Sequence, residues 1–254
     1  MLTPAKIFES VVNAGTTKGE LKASKMILLG IFAGIFISLA ATAATFGNVY
    51  VGKIAGACIF PAGLAMVVLA GSELFTGNNL MVIALFSRKI SIKQLLKNWG
   101  LVFLGNFIGA AIVVSLVVFS GVFDPISEIV ITTAAGKARM DFWLAFFRGI
   151  LCNILVCIAV WMAFAAETVT GKIAAVFFPV MLFVLCGFEH SIANMFYVPA
   201  GIMEAARTGI SVAGLDFGSF LLNNLLPVTL GNIVGGAGIV GCGYYLVYKK
   251  ESKK

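Results

Sequence analysis

The chain has 254 residues, 60% hydrophobic and 11% charged, with a mean hydropathy of +1.04. A water-soluble domain carries roughly 25% charged residues, so a soluble enzyme or binding module is excluded and the chain reads as an integral membrane protein. The net charge of +7 gathers at the ends of apolar runs, which excludes a nucleic-acid-binding face. No alternating strand pattern is present, which excludes an outer-membrane barrel.

Residues 3–21 carry Ile7, Phe8, Val11 and Val12 at helical spacing beside Lys6 and Glu9. This predicts an amphipathic helix lying at the membrane surface. Met1 to Lys25 lacks the apolar core of a cleavable signal peptide. A first span is predicted over 26–46, rich in small residues that allow close helix packing. A second apolar run, 54–86, is too long for one simple span, and Gly71 to Asn79 interrupts it. A basic loop over 87–98 follows, then a third span over 99–122 and a polar loop holding Asp124, Glu128, Lys137, Arg139 and Asp141. The fourth span is predicted over 142–166 and the fifth over 173–199, broken around Cys186 to Asn194. After a polar loop with Glu204, Arg207 and Asp216, the sixth covers 217–247. The division is thus an N-terminal segment 1–25, a six-span domain 26–247 and a basic tail 248–254.

Six crossings put both ends on one side. Lys6, Lys18, Lys22, Lys25, Arg88, Lys89, Lys93, Lys97, Lys172 and the tail lysines fall there, against Lys53, Lys137, Arg139, Arg148 and Arg207 opposite. The positive-inside rule then places both termini in the cytoplasm. Cys58, Cys152, Cys157, Cys186 and Cys242 all fall in apolar segments with no Cys-x-x-Cys spacing. They read as free, buried thiols, with neither disulfides nor a metal site.

The two halves repeat. Gly71-x-Glu73-x4-Asn78 recurs as Gly187-x-Glu189-x4-Asn194. Leu95-Leu96-x-Asn98 with Leu104-Gly105-Asn106-x-x-Gly109 recurs as Leu221-Leu222-x-Asn224 with Leu230-Gly231-Asn232-x-x-Gly235. Each half holds three spans, so the second is inverted relative to the first. Inverted repeats with paired broken helices bind or conduct near the midplane, where the breaks meet. Half-helices starting after each break aim positive N-terminal ends inward, which favours anions.

The only histidine, His190, lies at the second break. Ionisable groups inside a membrane are expensive and mark pathways. Imidazole can change its charge near neutral pH, and when neutral it both donates and accepts a hydrogen bond. Glu73 and Glu189 read as acceptors for backbone N–H groups freed at the breaks, with Asn78 and Asn194 beside them. Asn98, Asn106, Asn224 and Asn232 read as interhelical hydrogen-bonding groups. A Ser–His catalytic pair at His190-Ser191 is disfavoured, because helix neighbours point apart and no third orienting group is identifiable.

Glu73 to Asn78 and Gly187 to Phe196 resemble the two signature stretches of the formate/nitrite transporter family. Lys97-Asn98-Trp99, Leu104-Gly105-Asn106 and the stretch from Gly149-Ile150-Leu151-Cys152-Asn153 through Val160-Trp161 are also similar to it. The resemblance covers nearly the whole chain. It implies an all-α, aquaporin-like six-span protomer in a homopentamer, with one pore per protomer for formate, nitrite, hydrosulfide or a similar small anion, and no cofactor. It further implies that Thr76 and His190 face each other in the pore. Phe60, Leu64, Leu74, Phe75, Val156 and Phe183 match its constriction positions, Asn153 its pore asparagine and Lys137 its anion-attracting lysine. Glu73 stands where some members have aspartate.

The expected function is therefore a weak-acid anion channel in the inner (plasma) membrane, not an enzyme. A proton-coupled symporter and a neutral-solute channel are the competing readings.

Overall fold

A computed structural model describes residues 1–249; the tail residues 250–254, including Lys250, Lys253 and Lys254, lie outside the described residues. Among the described residues there are helices and no strands. In chain order they are α1 (Pro4–Glu20), α2 (Ala23–Tyr50), α3 (Lys53–Ala70), α4 (Phe75–Phe86), α5 (Ile92–Phe119), α6 (Ser127–Ala138), α7 (Phe142–Ala165), α8 (Val169–Cys186), α9 (Ser191–Thr208) and α10 (Phe217–Tyr248). Six of them, α2, α3, α5, α7, α8 and α10, are long and apolar enough to cross a membrane. Helices α4 and α9 are the short rods that follow the two breaks.

Local chemistry starts α5 and α8 earlier than apolarity alone predicts and fixes the expected starts of α7 and α10. Ser91 and Gln94 form a reciprocal capping box. It begins α5 at Ile92 and carries Lys93 and Lys97, expected in a loop, onto a helix. The Asp141 carboxylate accepts from the N–H groups of Trp143 and Leu144 to open α7, and the Thr168 hydroxyl accepts from Gly171 N–H to open α8. Asp216 caps α10, and the Ser219 N–H and hydroxyl that donate to it hold its carboxyl below the ordinary range.

Four further expectations are corrected. The polar loop holding Lys137 is largely the helix α6. Glu204 is not in a loop: α9 continues to Thr208, and Glu204 is fully buried, accepting from Ser127 Oγ at 2.5 Å and from Arg207. Helix α1 does not turn its apolar stripe to lipid. Ile7, Val11 and Val12 pack against Leu80, Ile83, Trp161 and Val240 of the bundle. The N-terminal ammonium donates to Glu167 and holds its carboxyl below the ordinary range, while Leu2 N–H reaches the Ala165 carbonyl. The cysteines are free, but only Cys152 and Cys157 are buried; Cys58 and Cys186 lie at the surface.

The repeat is a repeat of contacts. Helix α5 lies on α2 as α10 lies on α7. A Cβ on Gly109 would meet the Ile31 carbonyl oxygen at 2.1 Å, and one on Gly235 would meet the Ile150 oxygen at 2.2 Å. Glycine at both positions lets the backbones touch. Helix α10 is loosened by π-helical turns at Phe220–Leu225 and Val234–Gly241, the second of which faces the first break.

Candidate pore and anion site

Both breaks begin at a glycine in the left-handed region, Gly71 (φ 73°) and Gly187 (φ 70°), where a side chain would be strained. The chain then runs extended to Leu74 (φ −110°, ψ 122°) and His190 (φ −109°, ψ 114°), which are the N-cap residues of α4 and α9. His190 is thus the structural counterpart of Leu74.

The backbone groups freed at each break are satisfied by asparagine. Asn106 Oδ1 accepts from Phe75 N–H at 3.0 Å, and its Nδ2 donates to the carbonyls of Gly30 and Glu73 at 2.8 and 2.9 Å. Asn232 Oδ1 accepts from Ser191 N–H at 3.0 Å, and its Nδ2 donates to the carbonyls of Gly149 and Glu189 at 2.8 and 3.0 Å. The remaining N–H groups of Glu73 and Glu189 donate to the carbonyls of Leu29 and Arg148. The expectation that the Glu73 and Glu189 carboxylates perform this task is therefore corrected. An amide both donates and accepts, which a break needs; an ionised carboxylate only accepts.

The carboxylates instead meet lysines. Lys18 Nζ donates to Glu73 Oε1 at 2.7 Å and to Asn78 Oδ1 at 2.8 Å. Asn78 Nδ2 donates to Glu73 Oε2 and Asn98 Oδ1, and Asn98 Nδ2 donates to the Lys18 carbonyl. Across the repeat, Lys137 Nζ donates to both Glu189 oxygens at 2.9 Å. Asn194 Nδ2 donates to Glu189 Oε2 and Asn224 Oδ1, and Asn224 Nδ2 donates to the Lys137 carbonyl. The Lys137 ammonium also sits 5.4 Å from the Tyr197 ring centroid. Sequence reasoning missed Lys18. The signal was present: Lys18 precedes Gly30 by the same interval as Lys137 precedes Gly149.

Two cavities lie against these pairs. One, of about 270 Å³, is on the α1 side and is lined by Lys18, Glu73, Leu64, Leu74, Asn78 and Lys172 among others. The other, of about 180 Å³, is on the α6 side and is lined by Lys137, Glu189, His190, Phe60, Phe183 and Asn194 among others. Phe60 and Phe183 meet edge to face at 5.8 Å, and Phe183 stacks on the His190 ring at 5.9 Å.

Thr76 stands between them. It is fully buried, and its Oγ1 is 2.9 Å from His190 Nε2. His190 Nδ1 accepts from Ala193 N–H at 3.1 Å, capping α9. With Nδ1 engaged as an acceptor, the ring proton sits on Nε2 and is donated to Thr76. Asn153 Nδ2 donates to the carbonyls of Thr76 and Asn232 at 3.3 and 2.7 Å. Val156 is buried one turn further along α7. Phe75 turns to α5, its ring 5.0 Å from Phe103 and 5.9 Å from Trp99, rather than to either cavity.

Six apolar spans in inverted halves, with two helix breaks that meet at a polar contact and a lysine-bearing cavity beside each break, define a membrane transport protein. The chain belongs to the formate/nitrite transporter family, whose description matches residues 5–246. It is 38% identical to the formate channel FocA of Haemophilus influenzae over 94% of this chain and 92% of that protein. It is 40% identical to the uncharacterized transporter YrhG of Bacillus subtilis over 98% of this chain and 95% of that protein. Among solved structures it is similar to one described as a pentameric formate channel with formate bound (TM-score 0.80, 41% identity, 90% of this chain and 98% of the other). It is also similar to an FNT family ion channel (TM-score 0.82, 27% identity, 95% and 98%).

Proposed function

We propose that the protein is a channel for small monovalent weak-acid anions, with formate as its principal solute. The carrying observation is the Thr76–His190 contact at 2.9 Å, enclosed between two cavities that each present a lysine. An anion faces a penalty of several kcal/mol in the apolar slits. Leu64 and Leu74 narrow the path on the α1 side, Phe60 and Phe183 on the α6 side, and Val156 adds to the apolar wall. Lys18 and Lys137 attract the anion to either slit. Between the slits, Thr76 Oγ1 and His190 Nε2 offer it a hydrogen bond; a ring that first takes a proton from the cavity at Nδ1, giving up the Ala193 N–H cap, can return one proton from Nε2 to the anion and revert to neutral imidazole, so that the acid passes neutral. Asn153 holds the Thr76 backbone in place. The ion pairs of Glu73 and Glu189, with Asn78 and Asn194, keep the lysines at their cavities.

The names of the relatives support formate; nitrite and hydrosulfide have similar size and charge. The pentameric relative supports a homopentamer in the lipid bilayer. The lysine asymmetry supports a plasma-membrane protein with α1 and both termini cytoplasmic. Cysteines placed in the Ser87–Ser91 link are then expected to resist impermeant labels added to intact cells, and efficient labelling there contradicts this orientation. A role as a hydrolytic enzyme is disfavoured, since His190 Nδ1 accepts from Ala193 N–H, which puts the ring proton on Nε2 and leaves no base facing the Thr76 hydroxyl.

Purified protein in liposomes tests the reading. Formate flux is expected to respond to membrane voltage or to a pH gradient, and to exceed flux of a neutral solute of similar size. Flux of the neutral solute alone, indifferent to voltage and pH, supports a neutral-solute channel instead.

A further inference from the structure

The two cavities are electrically unequal. The α6-side cavity holds Lys137 and Glu189, a bonded pair, and among the described residues no other ionised side chain lines it. The α1-side cavity holds the equivalent pair, Lys18 and Glu73, and a further cation, Lys172 of α8. Among the described residues the Lys172 ammonium has no hydrogen-bond or ion-pair partner. The repeat gives it no counterpart. Counted back from Gly187, Lys172 corresponds to Gly56 counted back from Gly71, and Gly56 packs tightly against Asn48 and the Ala44 carbonyl. A side chain therefore projects from α8 into one cavity where α3 provides none to the other. Lys172 is partly buried, and Val160, Ala163 and Phe164 give the same cavity an apolar wall.

We propose that Lys172 is a selectivity-determining residue of the α1-side mouth: its uncompensated charge concentrates anions there and makes conduction directional. The proposal deepens the anion-channel reading and rests on it. A cavity with one excess positive charge and low-dielectric walls raises the local anion concentration, while a neutral pair does so weakly. One unit charge at about 10 Å in a water-like dielectric changes the local anion population about twofold at low salt. Anion flow starting from the Lys172 side then exceeds flow starting from the Lys137 side at equal and opposite voltages.

Patches from giant bacterial spheroplasts fix the orientation and allow this to be read. In symmetric, dilute formate the parent protein is expected to rectify. Lys172→Gln is expected to bring the ratio of the two currents about twofold closer to unity, and Lys172→Arg to keep it. Concentrated salt is expected to remove the difference between parent and variant. A conducting parent whose current ratio is unchanged by Lys172→Gln in dilute formate overturns this proposal alone, as does an equal loss in Lys172→Arg. A parent that takes up formate along a pH gradient but passes no formate current overturns this proposal alone; one that does neither overturns the channel reading and this proposal with it.

Discussion

Replacing Asn232 by alanine is expected to be among the most destabilising single changes available in this protein. The side chain is fully buried and bonds the Ser191 N–H and the carbonyls of Gly149 and Glu189. Alanine leaves the Ser191 N–H and the Glu189 carbonyl without partners where water does not reach, and takes a second bond from the Gly149 carbonyl inside α7. At about 1–2 kcal/mol for each of the two orphaned groups, the loss is on the order of 2–4 kcal/mol. The same argument holds for Asn106→Ala at the first break, where the groups are Phe75 N–H and the carbonyls of Gly30 and Glu73. Ser38→Ala is the control: Ser38 Oγ is buried with no hydrogen-bond partner among the described residues, so its loss should shift stability by less than about 0.5 kcal/mol. Thermal unfolding in mild detergent measures the series. An Asn232→Ala protein as stable as Ser38→Ala would remove the asparagines from the account of the breaks.

His190→Asn is expected to change how anion flux depends on pH, and to lower it by about tenfold at its optimum. Tenfold corresponds to losing one strong hydrogen bond of about 1.5 kcal/mol. Asparagine is polar, but it cannot gain or lose a proton near neutral pH as imidazole does. Its shorter amide also has to replace two bonds set by ring geometry, Nε2 to Thr76 at 2.9 Å and the Ala193 N–H cap at 3.1 Å. Flux of formate into liposomes over a pH series separates the effects. A changed profile supports a proton or hydrogen bond offered to the passing anion. A uniform, pH-independent loss reduces His190 to a helix cap.

The sequence made the breaks legible because they violate the chemistry around them. Glycine, glutamate, histidine and asparagine inside apolar runs stand out on hydropathy alone, and the matched spacing of Gly71, Glu73 and Asn78 with Gly187, Glu189 and Asn194 exposed the inversion. The partner of each group was less legible. Glu73 meets Lys18, which lies 55 residues earlier on a helix that composition assigns to the membrane surface. Asn106 and Glu73 sit on different helices, and nothing local says that the amide rather than the carboxylate serves the backbone. That choice follows from needing a donor and an acceptor at one point, which emerges only once α5 lies against the break. Helix ends were misplaced where capping overrode charge: Ser91 and Gln94 start α5 before its lysines, and α9 runs on to bury Glu204 against Ser127 and Arg207. Phe75 carries the right residue type for a constriction. Its side-chain direction, toward Trp99 and Phe103, is set by the first turn of α4.

The central claim is that Thr76 and His190, brought together from opposite halves, form one site on the anion path. A double-mutant cycle on formate flux, with Thr76→Ala, His190→Asn and the combined variant, tests it most directly. A shared site predicts a coupling energy of about 0.5–3 kcal/mol, the combined variant losing clearly less than the sum of the single losses. Additive losses, with the same pH profile in all three variants, would contradict it.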